Sequence, residues 1–148
     1  ETGATVGAMG PGVPSAVAAG ICSPGRQVVA FCGDGGVLMT GNELATAVQY
    51  GVPIKLFIAD NAAYGTIRMH QARSFPGRGY AIELQNPDFV IWGESFGAKG
   101  VLIETEAECE EKVAEAMAHD GPAVIHCKIS LDHISPSATI TGIEESAS

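Results

Sequence analysis

Asp34 stands between glycines at the end of an apolar run, VVAFCGDGGV (28–37), and a second polar pair, Asp60 and Asn61, closes another apolar run, PIKLFIA (53–59). A carboxylate flanked by Gly33 and Gly35 leaves bare backbone N–H groups beside a negative charge, which suits a metal bridged to phosphate. A hard divalent cation such as Mg2+ takes oxygen ligands, and one or two protein groups often hold it while phosphate and water complete the shell. Asp34 offers a carboxylate, Asn61 an amide oxygen and Ala63 a backbone carbonyl. The N–H groups of Tyr64, Gly65 and Thr66 are expected to open the next helix toward an anion. Taken singly, each cluster also has a plain reading, because Gly-Asp-Gly and Asp-Asn are turn compositions.

The two clusters act together only if the elements before them bring them to one place. QVVAFC (27–32) is a continuous β-branched apolar run of the kind that central parallel strands show, and PIKLFIA repeats it. TGNELATAVQYG (40–51) has helical spacing at Leu44, Ala47, Val48 and Gly51, and VPSAVAAGICSP (13–24) predicts a short buried helix with Pro14 near its start. Further along, DNAAYGTIRMHQ leads into a helix and RSFPGRGYAIELQ reads as a loop. NPDFVIWGESFG (86–97) predicts a helix with Asn86 and Pro87 as cap and first turn. KGVLIE predicts a strand, 106–121 an amphipathic helix, and PAVIHCKIS (122–130) a last strand, while 131–148 reads as a polar, loose tail. Strands alternating with helices predict a three-layer α/β/α domain with a mostly parallel central sheet. Ligands of such sheets bind at the carboxyl ends of the strands, where Asp34 and Asn61 both fall.

Composition narrows the partners. With 148 residues, 46% of them hydrophobic, the chain is long enough for one domain with a real core. A formal net charge of −9 with only eight Lys and Arg argues against a nucleic-acid surface. No run approaches a membrane span, and no signal-peptide pattern opens the chain, so no membrane partner is expected. Cys22, Cys32, Cys109 and Cys127 show no C-x-x-C pair and read as reduced interior thiols of a cytoplasmic protein. His70, His119, His126 and His133 show no zinc-ligand spacing. GAMGPG follows no strand and is a weak dinucleotide fingerprint. The abrupt opening on a glycine loop, ETGATVGAMGPG, suggests an N-terminally truncated piece of a longer protein.

The GDG and DN elements, joined by a helix and a strand, resemble the thiamine-diphosphate motif of the acetolactate synthase and 2-oxo-acid decarboxylase family, in which GDG is followed by an asparagine pair. GAMGPGVPSAVAAG, FCGDGGVLMTGNELATAVQYGVP, IRMHQ, FPGR, NPDFVIWGESFGAKG and ISPSATI extend the likeness to that family's C-terminal, diphosphate-binding domain over most of the chain. The resemblance implies that Asp34, Asn61 and the Ala63 carbonyl ligate Mg2+. It also implies that Gly33, Gly35, Gly36 and the N–H groups of Tyr64, Gly65 and Thr66 lie along the diphosphate. Met9 falls where the family places an apolar wedge under the cofactor, and Gly7 where a carbonyl meets the 4′-amino group; core filler is the plain reading of Met9. Two positions depart from the pattern: Asp60 replaces the first asparagine, and Gly36 replaces a small hydroxyl residue.

Family enzymes also carry a pyrimidine-binding domain whose glutamate activates the cofactor, and this chain shows none. The resemblance therefore implies a thiamine-diphosphate- and Mg2+-binding domain of an enzyme acting on a 2-oxo acid, inactive by itself. It further implies a pyrimidine-binding domain or subunit as partner and a homo-oligomer. A separately encoded β-subunit, or a non-catalytic phosphate-binding interaction domain, are the alternatives.

Overall fold

The structure is a computed structural model that describes residues 7–135 and 137–147; the first six residues of the opening loop, and with them the expectation of truncation, lie outside that range, as do Pro136 and Ser148. Strands β1 (Val28–Gly33), β2 (Ile54–Asp60), β3 (Lys99–Ile103) and β4 (Ala123–Lys128) form one parallel sheet in the order β1-β2-β4-β3. The apolar runs thus become strands, as their β-branched, two-sided composition requires. Alternation then sorts the side chains between two faces. Ile54, Leu56 and Ile58 of β2 with Val124 of β4 face a core built with α1 (Gly12–Cys22), α2 (Asp34–Thr40), α3 (Leu44–Gln49) and α5 (Phe89–Ser95). On the opposite face Val101, Ile103, Ala123 and Ile125 pack against Ala116 of α6 (Cys109–Ala118). Helices therefore flank the sheet on both sides, and the three-layer expectation holds.

Among the described residues, that second face is covered toward β3 and β4. At β1 its side chains stand open: Phe31 is 79% exposed and stacks on Phe57 with ring centroids 4.8 Å apart.

Several local expectations are corrected. The helix expected over 40–51 begins at Asp34, directly on the end of β1, and runs as α2, a 3-10 turn at Gly41–Glu43, and α3. Helix α1 is buried only along Val13, Ala16 and Val17, since one side rests on β1 and the other meets solvent. The α5 cap is Asp88, not Asn86: its Oδ1 accepts from the N–H groups of Val90 (2.9 Å) and Ile91 (3.2 Å), satisfying two donors of the first turn. Cys22 and Cys109 are exposed at helix ends, and Cys32 and Cys127 half-buried, so the thiols are free but not all interior.

The stretch from 131 is not a loose tail. It forms β5 (His133–Ser135), β6 (Ala138–Thr139) and α7 (Ile140–Ala147), and α7 packs on α4 (Gly65–Ser74). Asp132 accepts from both the N–H and the hydroxyl of Thr141, and Ile140 is buried, which together anchor a segment of largely polar composition. Among the described residues no helix is long and apolar enough to cross a membrane.

Candidate functional site

Register brings the two acids together. Gly33, the last residue of β1, pairs with Ala59 of β2, so Asp34 and Asp60 each lie one step beyond the same rung of the ladder. The next rung, Asp60 with Lys128, adds the end of β4. At this carboxyl edge the loop of residues 7–12, the start of α2, the β2–α4 loop and β5 enclose a cleft of about 920 Å3. Gly7, Met9, Gly33, Asp34, Gly35, Gly36, Asn61, Ala63, Tyr64, Gly65 and Thr66 all line it. Ile129 and His133 line it too, and neither stands in the motif: they arrive through the end of β4 and the ordered tail.

Asp34 is 3% exposed. Its Oδ1 accepts from its neighbour's N–H, Gly35 (2.9 Å), and its Oδ2 from the Asn86 amide (2.7 Å). Burial pushes its carboxyl above the ordinary carboxylate value, against those two hydrogen bonds, and the nearby Asp60 adds to the rise. No salt bridge reaches Asp34 among the described residues.

Asp60 is as buried but differently served. Lys128 Nζ (2.6 Å) and His126 Nε2 (2.7 Å) donate to its Oδ2, and Asn86 Nδ2 (2.7 Å) and the Ala62 N–H (3.0 Å) to its Oδ1. Burial opposes its ionisation, yet those donors win and hold the carboxyl well below the usual range. The negative charge expected of Asp60 is thus compensated inside the protein. The aspartate also shapes the loop: its bond to Ala62, followed by Asn61 Oδ1 accepting from Ala63 N–H (3.1 Å), makes successive Asx turns that hold Ala62 at a φ of 54°.

Two expectations about backbone donors are corrected. The Tyr64 N–H is spent on the Ile82 carbonyl (2.8 Å), because 82–84 runs alongside the loop as a short bridge, and the Gly65 N–H on the Ala63 carbonyl (2.9 Å) in a tight local turn. Thr66 remains at the start of α4, which has no side-chain cap. The Ala63 carbonyl keeps a second lone pair.

The glycines differ in what they require. A Cβ on Gly35 would lie 2.8 Å from Tyr64 Cε1 and 3.0 Å from Met9 Cε, so only glycine lets those two side chains close over the start of α2. A Cβ on Gly33 or Gly36 would meet nothing within 4 Å; the missing hydroxyl at Gly36 therefore has room, and the backbone there borders open space. Met9 is 47% exposed on the cleft wall, which removes its reading as core filler.

The donor set fits a hard cation that shares its shell with phosphate: one buried carboxylate without a counter-charge, one amide oxygen and one carbonyl, beside open glycine backbone. No three His, Cys, Asp or Glu side chains converge as a metal-holding group among the described residues.

A parallel α/β domain with its polar cleft at the strand ends is the architecture of nucleotide- and diphosphate-type cofactor domains. Residues 2–127 match the family described as thiamine pyrophosphate enzyme, C-terminal TPP binding domain, and the chain belongs to that family. A Bacillus subtilis (strain 168) protein named as thiamine pyrophosphate-containing, YdaP, is 39% identical over 122 residues, 82% of this chain and 21% of that protein. The mitochondrial acetolactate synthase catalytic subunit of Saccharomyces cerevisiae is 31% identical over 128 residues, 86% of this chain and 19% of its own. Among solved structures, the thiamine diphosphate-dependent 4-hydroxybenzoylformate decarboxylase of Rhodococcus jostii RHA1 superposes with a TM-score of 0.77 at 30% identity, over 82% of this chain and 23% of that one. The chain spans about a fifth to a quarter of the length of these proteins.

Proposed function

We propose that this chain is the Mg2+-dependent, thiamine-diphosphate-binding domain of an acetolactate synthase-like enzyme that decarboxylates or ligates 2-oxo acids in the cytoplasm. Its partner is a pyrimidine-binding domain that supplies the activating glutamate. The observation that carries the reading is Asp34: a buried carboxylate with two neutral donors and no cationic partner among the described residues, at the floor of the cleft. Asp34, Asn61 and the Ala63 carbonyl hold the cation. Gly33 and Gly36 admit the diphosphate to the backbone on either side of the covered Gly35, with the N–H of Thr66 opposite. Met9 and the Gly7 carbonyl orient the two rings from the cleft wall. Thiamine diphosphate supplies the stabilisation of the carbanion left when a 2-oxo acid loses carbon dioxide.

In the complete enzyme, meaning this domain together with the pyrimidine-binding domain, calorimetry is expected to show thiamine diphosphate binding with Mg2+ and a loss of most of that affinity in excess chelator. Affinity indifferent to Mg2+ would overturn the metal assignment. The isolated chain, lacking the glutamate and a cover over the cleft, is expected to release no carbon dioxide from pyruvate above the rate of free cofactor.

The same reading leaves a surface without its cover. Phe31, Val29 and Met9 are exposed at and beside the cleft, and apolar area of this kind favours association. The isolated chain is expected to form a dimer in sedimentation equilibrium; a strictly monomeric chain at high micromolar concentration would remove the argument for a homo-oligomer.

A further inference from the structure

Asn86 precedes α5 without capping it, since Asp88 does that work. What its side chain does instead is unusual. The Nδ2 atom lies 2.7 Å from Asp34 Oδ2 and 2.7 Å from Asp60 Oδ1, so its two hydrogens are divided between two buried carboxylates. The amide has only one workable orientation, because turning it over would aim its oxygen at both acids. That orientation leaves Asn86 Oδ1 buried with no hydrogen-bond partner among the described residues. An unpaired buried carbonyl is unfavourable, and the fold tolerates it where the two donor bonds matter more.

The far end of this strut does not move freely. Asp60 is fixed by Lys128, His126 and the Ala62 N–H, and Pro87 restricts the backbone of Asn86 to extended conformations. The near end, Asp34, is held on one oxygen by Gly35 and on the other by Asn86, so the carboxylate at the cleft lining is tied down at both oxygens. A small cation with a strict octahedral shell needs a ligand fixed in this way, whereas a larger one with a variable shell tolerates a swinging carboxylate.

We propose that Asn86 is a positioning residue that ties Asp34 to the anchored Asp60 and thereby sets the preference of the site for Mg2+ over Ca2+. The inference rests on the reading of Asp34 as a metal ligand, and its test separates the two.

Mg2+ and Ca2+ are titrated separately by calorimetry into the complete enzyme with thiamine diphosphate present throughout, for the parent and for Asn86→Ala. Circular dichroism checks that the variant is folded. Loss of an outer partner of a metal ligand commonly weakens binding by about 10- to 100-fold. A loss of that size is expected for Mg2+, with a smaller loss for Ca2+, so that the affinity ratio falls. Asn86→Ser keeps a hydroxyl donor for one carboxylate; it is expected to recover part of the ratio, and it carries the test if the alanine variant does not fold. Equal losses for both metals, or none, would show that Asn86 serves packing alone and overturn the proposal. A parent enzyme that binds neither metal would overturn the reading of Asp34 itself, and the inference with it.

Discussion

Replacing Asp34 with alanine is expected to weaken Mg2+-dependent binding of thiamine diphosphate to the complete enzyme by more than about 100-fold, beyond the range seen when only an outer partner of a ligand is lost. Asp34 is the one carboxylate in the proposed ligand set, and an amide or carbonyl oxygen cannot replace its charge against a divalent cation. Folding is not expected to suffer in proportion. Asp34 is buried at a raised proton affinity, so removing it relieves a charge that burial disfavours and leaves only one hydrogen of Asn86 and one backbone N–H unpaired. Asp34→Asn sharpens the comparison: it keeps the shape, loses the charge, and should bind nearly as poorly. Calorimetry of parent and both variants reads the outcome, with circular dichroism as the folding control. Unchanged affinity in Asp34→Ala would place the metal elsewhere in the cleft.

The cleft was legible in the sequence because its floor is made of strand ends. An apolar β-branched run that stops at a glycine-flanked acid announces both the strand and the place where it ends, and the rule that ligands gather at carboxyl edges joins Asp34 to Asn61. What stayed hidden is whatever depends on partners far along the chain. The Tyr64 N–H reads as free for an anion, yet Ile82 takes it from a loop eighteen positions away that has no strand pattern of its own. Asn86 and Asp88 are both good cap residues two positions apart, and local chemistry cannot choose between them. The choice is made by the two carboxylates waiting at the ends of β1 and β2, which engage Asn86 and leave the cap to Asp88. The tail misled for a related reason: its composition is polar, and its order comes from single residues, Asp132 at the start of α7 and Ile140 beneath it.

Asp60 departs from the family pattern at the first asparagine of the pair, and the structure shows what the substitution requires. His126 is 2% exposed in the middle of the sheet, a poor place for an imidazole unless its N–H has an acceptor, and the half-exposed Lys128 reaches the same oxygen. An aspartate at 60 with His126 and Lys128 on β4 forms one unit, in which the carboxylate accepts from both, although His126 Nδ1 stays buried with no partner among the described residues. The substitution is tolerated because Lys128, paired with Asp60 on the same rung of the sheet, supplies the counter-charge from β4, far along the chain from the motif.

Asp60→Ala is accordingly expected to be clearly destabilising, costing about 2–4 kcal/mol of unfolding free energy, because the buried donors it served are left unpaired while the half-exposed Lys128 can turn to water. It strands the His126 N–H and an Asn86 hydrogen in the interior and frees the Ala62 turn. Asp60→Asn keeps the volume and one acceptor but sets an NH2 against donors on one side, and should cost less, about 1.5–3 kcal/mol. The pH dependence distinguishes a charge effect from simple loss of packing. Because the folded Asp60 is held below its unfolded value, it binds fewer protons folded than unfolded; its contribution is fully present above about pH 4, near the free aspartate value, and is lost as pH falls further. Asp34 works in the opposite sense: its raised folded value makes ionisation unfavourable in the native state, so stability declines as pH rises from about 4 through that value. Urea unfolding between pH 2.5 and 6 is therefore expected to give a parent whose stability falls steeply below pH 4, and an Asp60→Asn variant in which that acid limb is shallower while the decline above pH 4 persists. Parallel curves, displaced by a constant amount across the whole range, would mean that Asp60 contributes shape and not charge, and that Lys128 and His126 do not compensate it.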